Sequence, residues 1–185
     1  LVSLLLAIHL AHGTTENHQN KIDVQHYSVT VEPDIAGKSI KGTVVVKFLS
    51  ESNNLAHAEF NCGDLTIDSV RLAGAPAQFA VTDHRLKVAL PPGLKAKELR
   101  EIEVNYHGVP RYGIRFFPDR EQVYTIFSTS QWMVCVDDPA DKATLTFKLI
   151  LPANLTAVAN GQRVSQRELP NNKRVSEWQQ DNAIP

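Results

Sequence analysis

From Val24 onward, this chain alternates apolar and polar residues with a period of two. Tyr27, Val29 and Val31 alternate with His26, Ser28 and Thr30, and Val44, Val46 and Phe48 with Thr43, Val45 and Lys47. The pattern returns at Leu86, Val88 and Leu90, at Ile102, Val104 and Tyr106, and at Leu145, Phe147, Leu149 and Leu151. Successive side chains of a strand point to opposite faces, so each run specifies a strand with one face buried and one face wet. No segment carries a helical stripe of more than a few turns. Turn chemistry separates the runs at Glu51 to Asn54, Gly74, Pro91-Pro92-Gly93, Asn160-Gly161 and Pro170-Asn171-Asn172. Of these, Asn160-Gly161 reads as the strongest hairpin loop, because a two-residue loop needs positive φ at both positions. Many short strands joined by Gly, Pro and Asn turns predict an all-β, sandwich-like, saddle-shaped antiparallel domain.

A chain of 185 residues is long enough for one domain with a real core. Its opening, Leu1 to Leu10, is apolar but too short to span a bilayer, and Ala11-His12-Gly13 follows with small residues at the positions a signal peptidase reads. We therefore expect a signal peptide truncated at its start over residues 1–13, a polar linker over 14–21, and the folded domain over 22–185. Export follows as an expectation, to a periplasmic, secreted or cell-surface location, with no membrane span. A formal charge of −1 leaves no basic footprint for nucleic acid.

The chemistry-bearing residues are sparse. Seven His are scattered at positions 9, 12, 18, 26, 57, 84 and 107, with neither His-Glu-x-x-His nor Cys-x-x-Cys, so no metal site is expected. Cys62 and Cys135 read as buried thiols, because a domain of this size needs no staple. Asp137 and Asp138 are neighbours on an extended chain and cannot easily share one substrate atom. Asp138-Pro139 instead reads as a capped turn leading into the strand from Thr144. Ser128, Thr129 and Ser130 have no nucleophile elbow and no nearby His, so no catalytic residue is expected. Tyr112 and the run Arg115-Phe116-Phe117 read as part of a surface docked onto another domain.

The densest stretch, residues 127–143, contains Cys135-Val136-Asp137-Asp138-Pro139 and then Asp141-Lys142-Ala143-Thr144. It resembles the Pro-Cys-Phe-Asp-Glu-Pro…Lys-Ala-Thr signature in the N-terminal domain of the aminopeptidase N family of zinc metallopeptidases, which includes leukotriene hydrolase. His26-Tyr27, Gly42 in a Gly-Thr-Val strand, Leu155 to Gly161 and Ala183-Ile184-Pro185 extend the likeness from about Ile22 to the C-terminus. Val134 stands where the family usually has Pro, and the segment between Gln131 and Cys135 is shorter than usual. The resemblance implies a β domain that packs on a catalytic domain of the same polypeptide. That catalytic domain would carry the zinc and the general base, so zinc is expected in the full-length enzyme and none in this chain. It also implies that Gln131 lines the pocket for the N-terminus of a peptide substrate. A stand-alone exported binding module, for sugar or protein, is the alternative reading of the same residues.

Overall fold

The structure is a computed structural model, and it describes residues 21–185. The apolar opening and nearly all of the expected linker lie outside the described residues. Among the described residues there are thirteen strands: β1 (Ile22–Asp34), β2 (Ser39–Ser50), β3 (His57–Asn61), β4 (Thr66–Leu72), β5 (Ala75–Pro76), β6 (Phe79–Thr82), β7 (Arg85–Ala89), β8 (Leu99–Gly108), β9 (Ile114–Phe117), β10 (Gln122–Thr125), β11 (Ala143–Pro152), β12 (Gln162–Leu169) and β13 (Lys173–Ile184). Among the described residues the only helical pieces are two single 3-10 turns, Pro118–Arg120 and Thr129–Gln131. None is long and apolar enough to cross a membrane. The all-β expectation is met.

Eight strands form one large sheet in the order β12-β13-β11-β1-β2-β8-β4-β5. A second sheet has the order β3-β7-β6, and β9 and β10 make a separate hairpin. Every pairing is antiparallel except β1 with β11, which run parallel. The two sheets meet where Phe48 of β2 packs edge-on against Phe60 of β3, with ring centroids 6.2 Å apart. An aromatic pair in this geometry adds about 0.5–1.5 kcal/mol beyond the area it buries.

Alternation along β2, β7 and β8 is as the sequence predicts: Val44, Val46, Phe48, Leu86, Val88, Ile102, Val104 and Tyr106 are all buried. In β1 the buried positions change phase, from Ile22 and Val24 to Tyr27, Val29 and Val31. The cause is a bulge at Gln25, because the register with β2 shifts between Val24 and His26. One extra residue returns the following side chains to the core face.

β11 departs from the expected pattern. Leu145, Phe147 and Leu149 are only half-buried, although they share the core face with buried Tyr27, Val29 and Val31 of the neighbouring strand. A single transverse row explains this. Val70, Val104, Val44, Val29, Phe147, Trp178 and Arg163 are successive register partners across seven strands. Burial is complete or nearly so for the four valines and partial for Phe147 and Trp178, and Arg163 is exposed. The small sheet covers the middle of the large one, and its β11-β13-β12 wing extends beyond that cover.

The turns also differ in one place. The two-residue hairpins with positive φ at both positions are Ala73-Gly74 and Asp83-His84, not Asn160-Gly161. Asn171 and Asn172, both at positive φ, turn β12 into β13. Gly161 serves close approach instead, since a Cβ there would lie 2.1 Å from the Gln179 carbonyl oxygen. Gly42 does the same inside β2: an added Cβ would meet the Tyr106 hydroxyl at 2.6 Å and the Thr30 carbonyl at 2.9 Å.

Both cysteines are free and buried. Burial pushes the Cys62 thiol up to about 11 and raises that of Cys135 further, where Asp137 and Cys62 add to the effect. Thiolate is the reactive form, so both should be inert in the folded chain. Two equivalents of a thiol reagent should therefore react in denaturant without reductant, and labelling of the native protein should be much slower. A requirement for reductant would contradict this.

Candidate functional site

The segment from Ile126 to Thr144 joins the β9-β10 hairpin to β11 and is held by the burial of Met133, Val134, Cys135 and Ala143 in the core together with specific hydrogen bonds. Ile126 donates to the Gly113 carbonyl at 2.9 Å. Phe127 and Ser128 then both take positive φ, 48° and 44°, a conformation that side chains with a Cβ seldom adopt and that costs of order 1 kcal/mol or more per residue. Phe127 is left 88% exposed. The 3-10 turn Thr129–Gln131 follows, closed by bonds from Gln131 N to Ser128 O and from Trp132 N to Thr129 O, each 3.1 Å.

The turn is tied to the core through Asp137. Its Oδ2 accepts from Ser130 Oγ at 2.7 Å and from Ser130 N at 3.4 Å, and its own N–H donates to Asn61 Oδ1 at 3.1 Å. Asn61 and Cys135 exchange both backbone bonds, at 2.7 and 3.1 Å, which splices the segment onto the end of β3. Val136 N donates to the buried Tyr27 hydroxyl at 2.9 Å. Asp138 caps its own turn, accepting from Ala140 N at 2.9 Å through Oδ1 and from Asp141 N at 3.0 Å through its carbonyl. Asp137 and Asp138 thus hold different groups and form no carboxylate pair.

Two further side chains fasten the segment to the β1 bulge. Asp141 Oδ1 accepts from Val24 N at 3.1 Å, and Thr144 Oγ1 donates to the Gln25 carbonyl at 3.1 Å. With that hydroxyl proton committed, His26 Nδ1–H is the donor to Thr144 Oγ1 at 2.7 Å. His26 Nε2 then accepts from Ser28 Oγ at 3.1 Å. Burial, with help from Lys47, lowers the His26 pKa and favours this neutral form. Tyr27, Asn61, Asp141 and Thr144 were not singled out as holding residues by sequence reasoning. The phase change in β1 was the available signal for a bulge that side chains must satisfy.

Gln131, the residue expected to meet a substrate, is buried at 8% exposure between two glycines. A Cβ on Gly63 would fall 2.7 Å from its Nε2, and one on Gly113 would fall 3.0 Å from its Cβ. Both glycines are at positive φ. The side-chain hydrogen bonds among the described residues do not involve the Gln131 amide, and that amide is not sealed from solvent. Beside it, a cleft of about 350 Å³ is walled by Trp132, Met133, Leu145, Phe147, Asp138 and Asp141, among others. Gln131 is not one of its lining residues. Trp132 meets Phe147 edge-on at 6.0 Å. Around the segment, Tyr112, Tyr124 and Ile126 are exposed with Phe127, whereas Phe116 packs on the core. Among the described residues no three His, Cys, Asp or Glu side chains come together as a metal ion would require.

Asp141 is the titrating group of the site. Burial pushes its carboxyl up to about 6 against the bond from Val24, with Asp23 and Asp138 adding repulsion. The folded state therefore holds this proton more tightly than the unfolded chain. Unfolding free energy should fall as pH rises from about 4 to about 6, and level off above, by about 1 kcal/mol once solvent screening of a half-buried group is allowed for. Asp141→Asn keeps the acceptor for Val24 and should flatten that slope, which denaturant unfolding across the pH range would measure.

Comparison with known proteins bears on this geometry. A crystal structure of a two-domain M1 zinc metallopeptidase, a point mutant bound to L-tryptophan, superposes with a TM-score of 0.83 at 23% identity. The match covers 90% of this chain and 41% of that one. The M1 zinc metallopeptidase of Deinococcus radiodurans gives 0.81, and a point mutant of it bound to a Tyr-Ser-Ala substrate also gives 0.81, each at 23% identity and the same coverage. At that identity the likeness speaks for the fold, and this chain spans about two-fifths of those proteins' length. The family description "Peptidase M1 N-terminal domain" matches residues 23–185, nearly everything the structure describes. On that match, the chain belongs to the family of peptidase M1 N-terminal domains.

Proposed function

We propose that this chain serves as the N-terminal domain of an exported, zinc-dependent aminopeptidase, in which it packs on the catalytic domain and lends Gln131 to the pocket for the substrate's N-terminal residue. The observation that carries the reading is Gln131 itself, nine-tenths buried on a stapled turn, walled by two glycines, with an amide that no described residue engages. Burial normally comes with a hydrogen-bond partner. An amide held rigid and left free can accept from a substrate ammonium and donate to a carbonyl.

Packing on a second domain is supported by the half-covered wing of the large sheet and by the exposed group of Tyr112, Tyr124, Ile126 and Phe127 beside the site. Aromatic residues exposed together in this way are typical of a partner surface. Export is supported by the apolar opening and by Ala11-His12-Gly13. The zinc and the general base belong, on this reading, to the catalytic domain. The chain's contribution is to orient and discriminate the substrate.

In the full-length enzyme, Gln131→Ala should remove a hydrogen bond to a charged group, worth on the order of 1.5–3 kcal/mol and hence roughly tenfold or more in kcat/KM. Thr129→Ala, which leaves the carbonyl that closes the turn in place, should change it much less. Steady-state kinetics with thermal stability checked in parallel test this. An unchanged kcat/KM for Gln131→Ala at wild-type stability would remove Gln131 from the pocket. The 185-residue chain by itself should hold no stoichiometric zinc and cleave no aminoacyl anilide. Metal analysis and an assay with and without chelator check that expectation.

A further inference from the structure

The cleft beside the signature segment combines an apolar floor with an unbalanced rim. Trp132, Met133, Leu145 and Phe147 form the floor, exposed Asp137 and Asp138 and half-buried Asp141 also line it, and none of the described lining residues is Lys, Arg or His. Among the described residues these three carboxylates enter no ion pair. Asp141 Oδ2 is buried with no hydrogen-bond partner. Its carboxyl is pushed up to about 6, by burial first and then by repulsion from Asp23 and Asp138. The same sheet face shows what such an aromatic strip accepts. One register step beyond Phe147, the Arg163 guanidinium lies over the Trp178 ring, 6.0 Å from its centroid.

We infer that this cleft seats a Lys or Arg side chain presented by the domain that packs on this face, its aliphatic stem on Trp132 and Phe147 and its cation among Asp137, Asp138 and Asp141. The inference rests on the proposed reading of the chain as a domain that packs on a catalytic domain, and it names the chemistry of that contact. A long basic side chain is the occupant that satisfies both surfaces at once, because its methylenes cover apolar area while its head meets the carboxylates. A purely apolar partner would strip water from three carboxylates and return nothing, and an acidic one would be repelled.

The test uses the full-length protein. Carboxylates are labelled with a carbodiimide and glycine ethyl ester, with exposed Asp83 and Asp119, which lie outside the cleft, as internal standards. In parallel, hydroxyl-radical labelling of Phe127 and Tyr112 reports whether the face is covered at all. We expect Asp138 to label at least about fivefold more slowly than the standards at low salt and to approach them at molar salt, where screening weakens the pair. The double variant Asp138→Asn with Asp141→Asn keeps the oxygens that accept from Ala140 N and Val24 N and should loosen domain packing, read as a lower unfolding midpoint and faster proteolysis between the domains. If Phe127 and Tyr112 are protected while Asp138 labels like Asp83, the domains touch without a cation in the cleft. The inference then fails and the packing reading stands. If Asp138 is protected but the double variant packs as tightly as wild type or more so, the occupant is not basic, and the inference again fails. If nothing on this face is protected, the packing reading itself is overturned, and the inference with it.

Discussion

The fold depends on one parallel strand pair. β1 and β11 lie side by side with Tyr27 opposite Leu145 and Val29 opposite Phe147, although well over a hundred residues separate them. A parallel neighbour cannot be delivered by a tight turn, so the chain that leads into β11 must be positioned by something other than a hairpin. Here side chains do it. Tyr27, Asp141 and Thr144 span the junction, and the β1 bulge supplies the Val24 N–H and Gln25 carbonyl that two of them satisfy. Each such bond is worth only about 1 kcal/mol net, yet leaving a buried partner unmet costs about 1–3 kcal/mol, so the set is held more by the penalty of breaking it than by its sum.

That junction fixes the site. With Cys135 paired to Asn61 and Val136 bonded to Tyr27, the seven residues back to Phe127 have little freedom, and the left-handed pair Phe127-Ser128 becomes the way to close the path. The consequence is a buried glutamine and an exposed phenylalanine four residues apart. One is shaped by Gly63 and Gly113, and the other projects toward solvent. Residues that look like a linear signature in the sequence are thus two structural groups. Cys135, Val136 and Asp137 hold the turn in place from below, while Asp138 to Thr144 aim β11 at β1.

The gradient across the large sheet has its own physical reason. Four valines of the transverse row lie under the small sheet, and the row continues through Phe147 and Trp178 to Arg163 at the edge. A sheet of eight strands is wider than the three-stranded layer packed on it. Twist carries the outer strands further from that layer, so the wing keeps apolar residues that the described residues leave partly uncovered. Arg163 over Trp178 shields part of that surface, and the cleft floored by Trp132 and Phe147 is the part left open.

Period-two patterning by itself determined strands β1, β2, β7, β8 and β11 and which residues of β2, β7 and β8 face the core, because side-chain direction in a strand is set locally by the pleat. Local chemistry also determined the capped turn at Asp138-Pro139, and the likeness of Cys135 to Thr144 to a known signature pointed to the family. The parallel partnership of β1 with β11, the bulge at Gln25 and the half-burial of Leu145, Phe147 and Leu149 were decided only in the assembled structure, because each depends on which strand lies alongside and how far the second layer reaches. Asn160-Gly161 shows the same division. Its composition allows a tight hairpin, but the backbone of β13 at Gln179 takes the space a Cβ would need, so the glycine is used for close approach. Gln131 was legible as a candidate from its place in the motif. Its enclosure by Gly63 and Gly113 was not, since nothing in a linear sequence says that residues from three separate segments will share one wall.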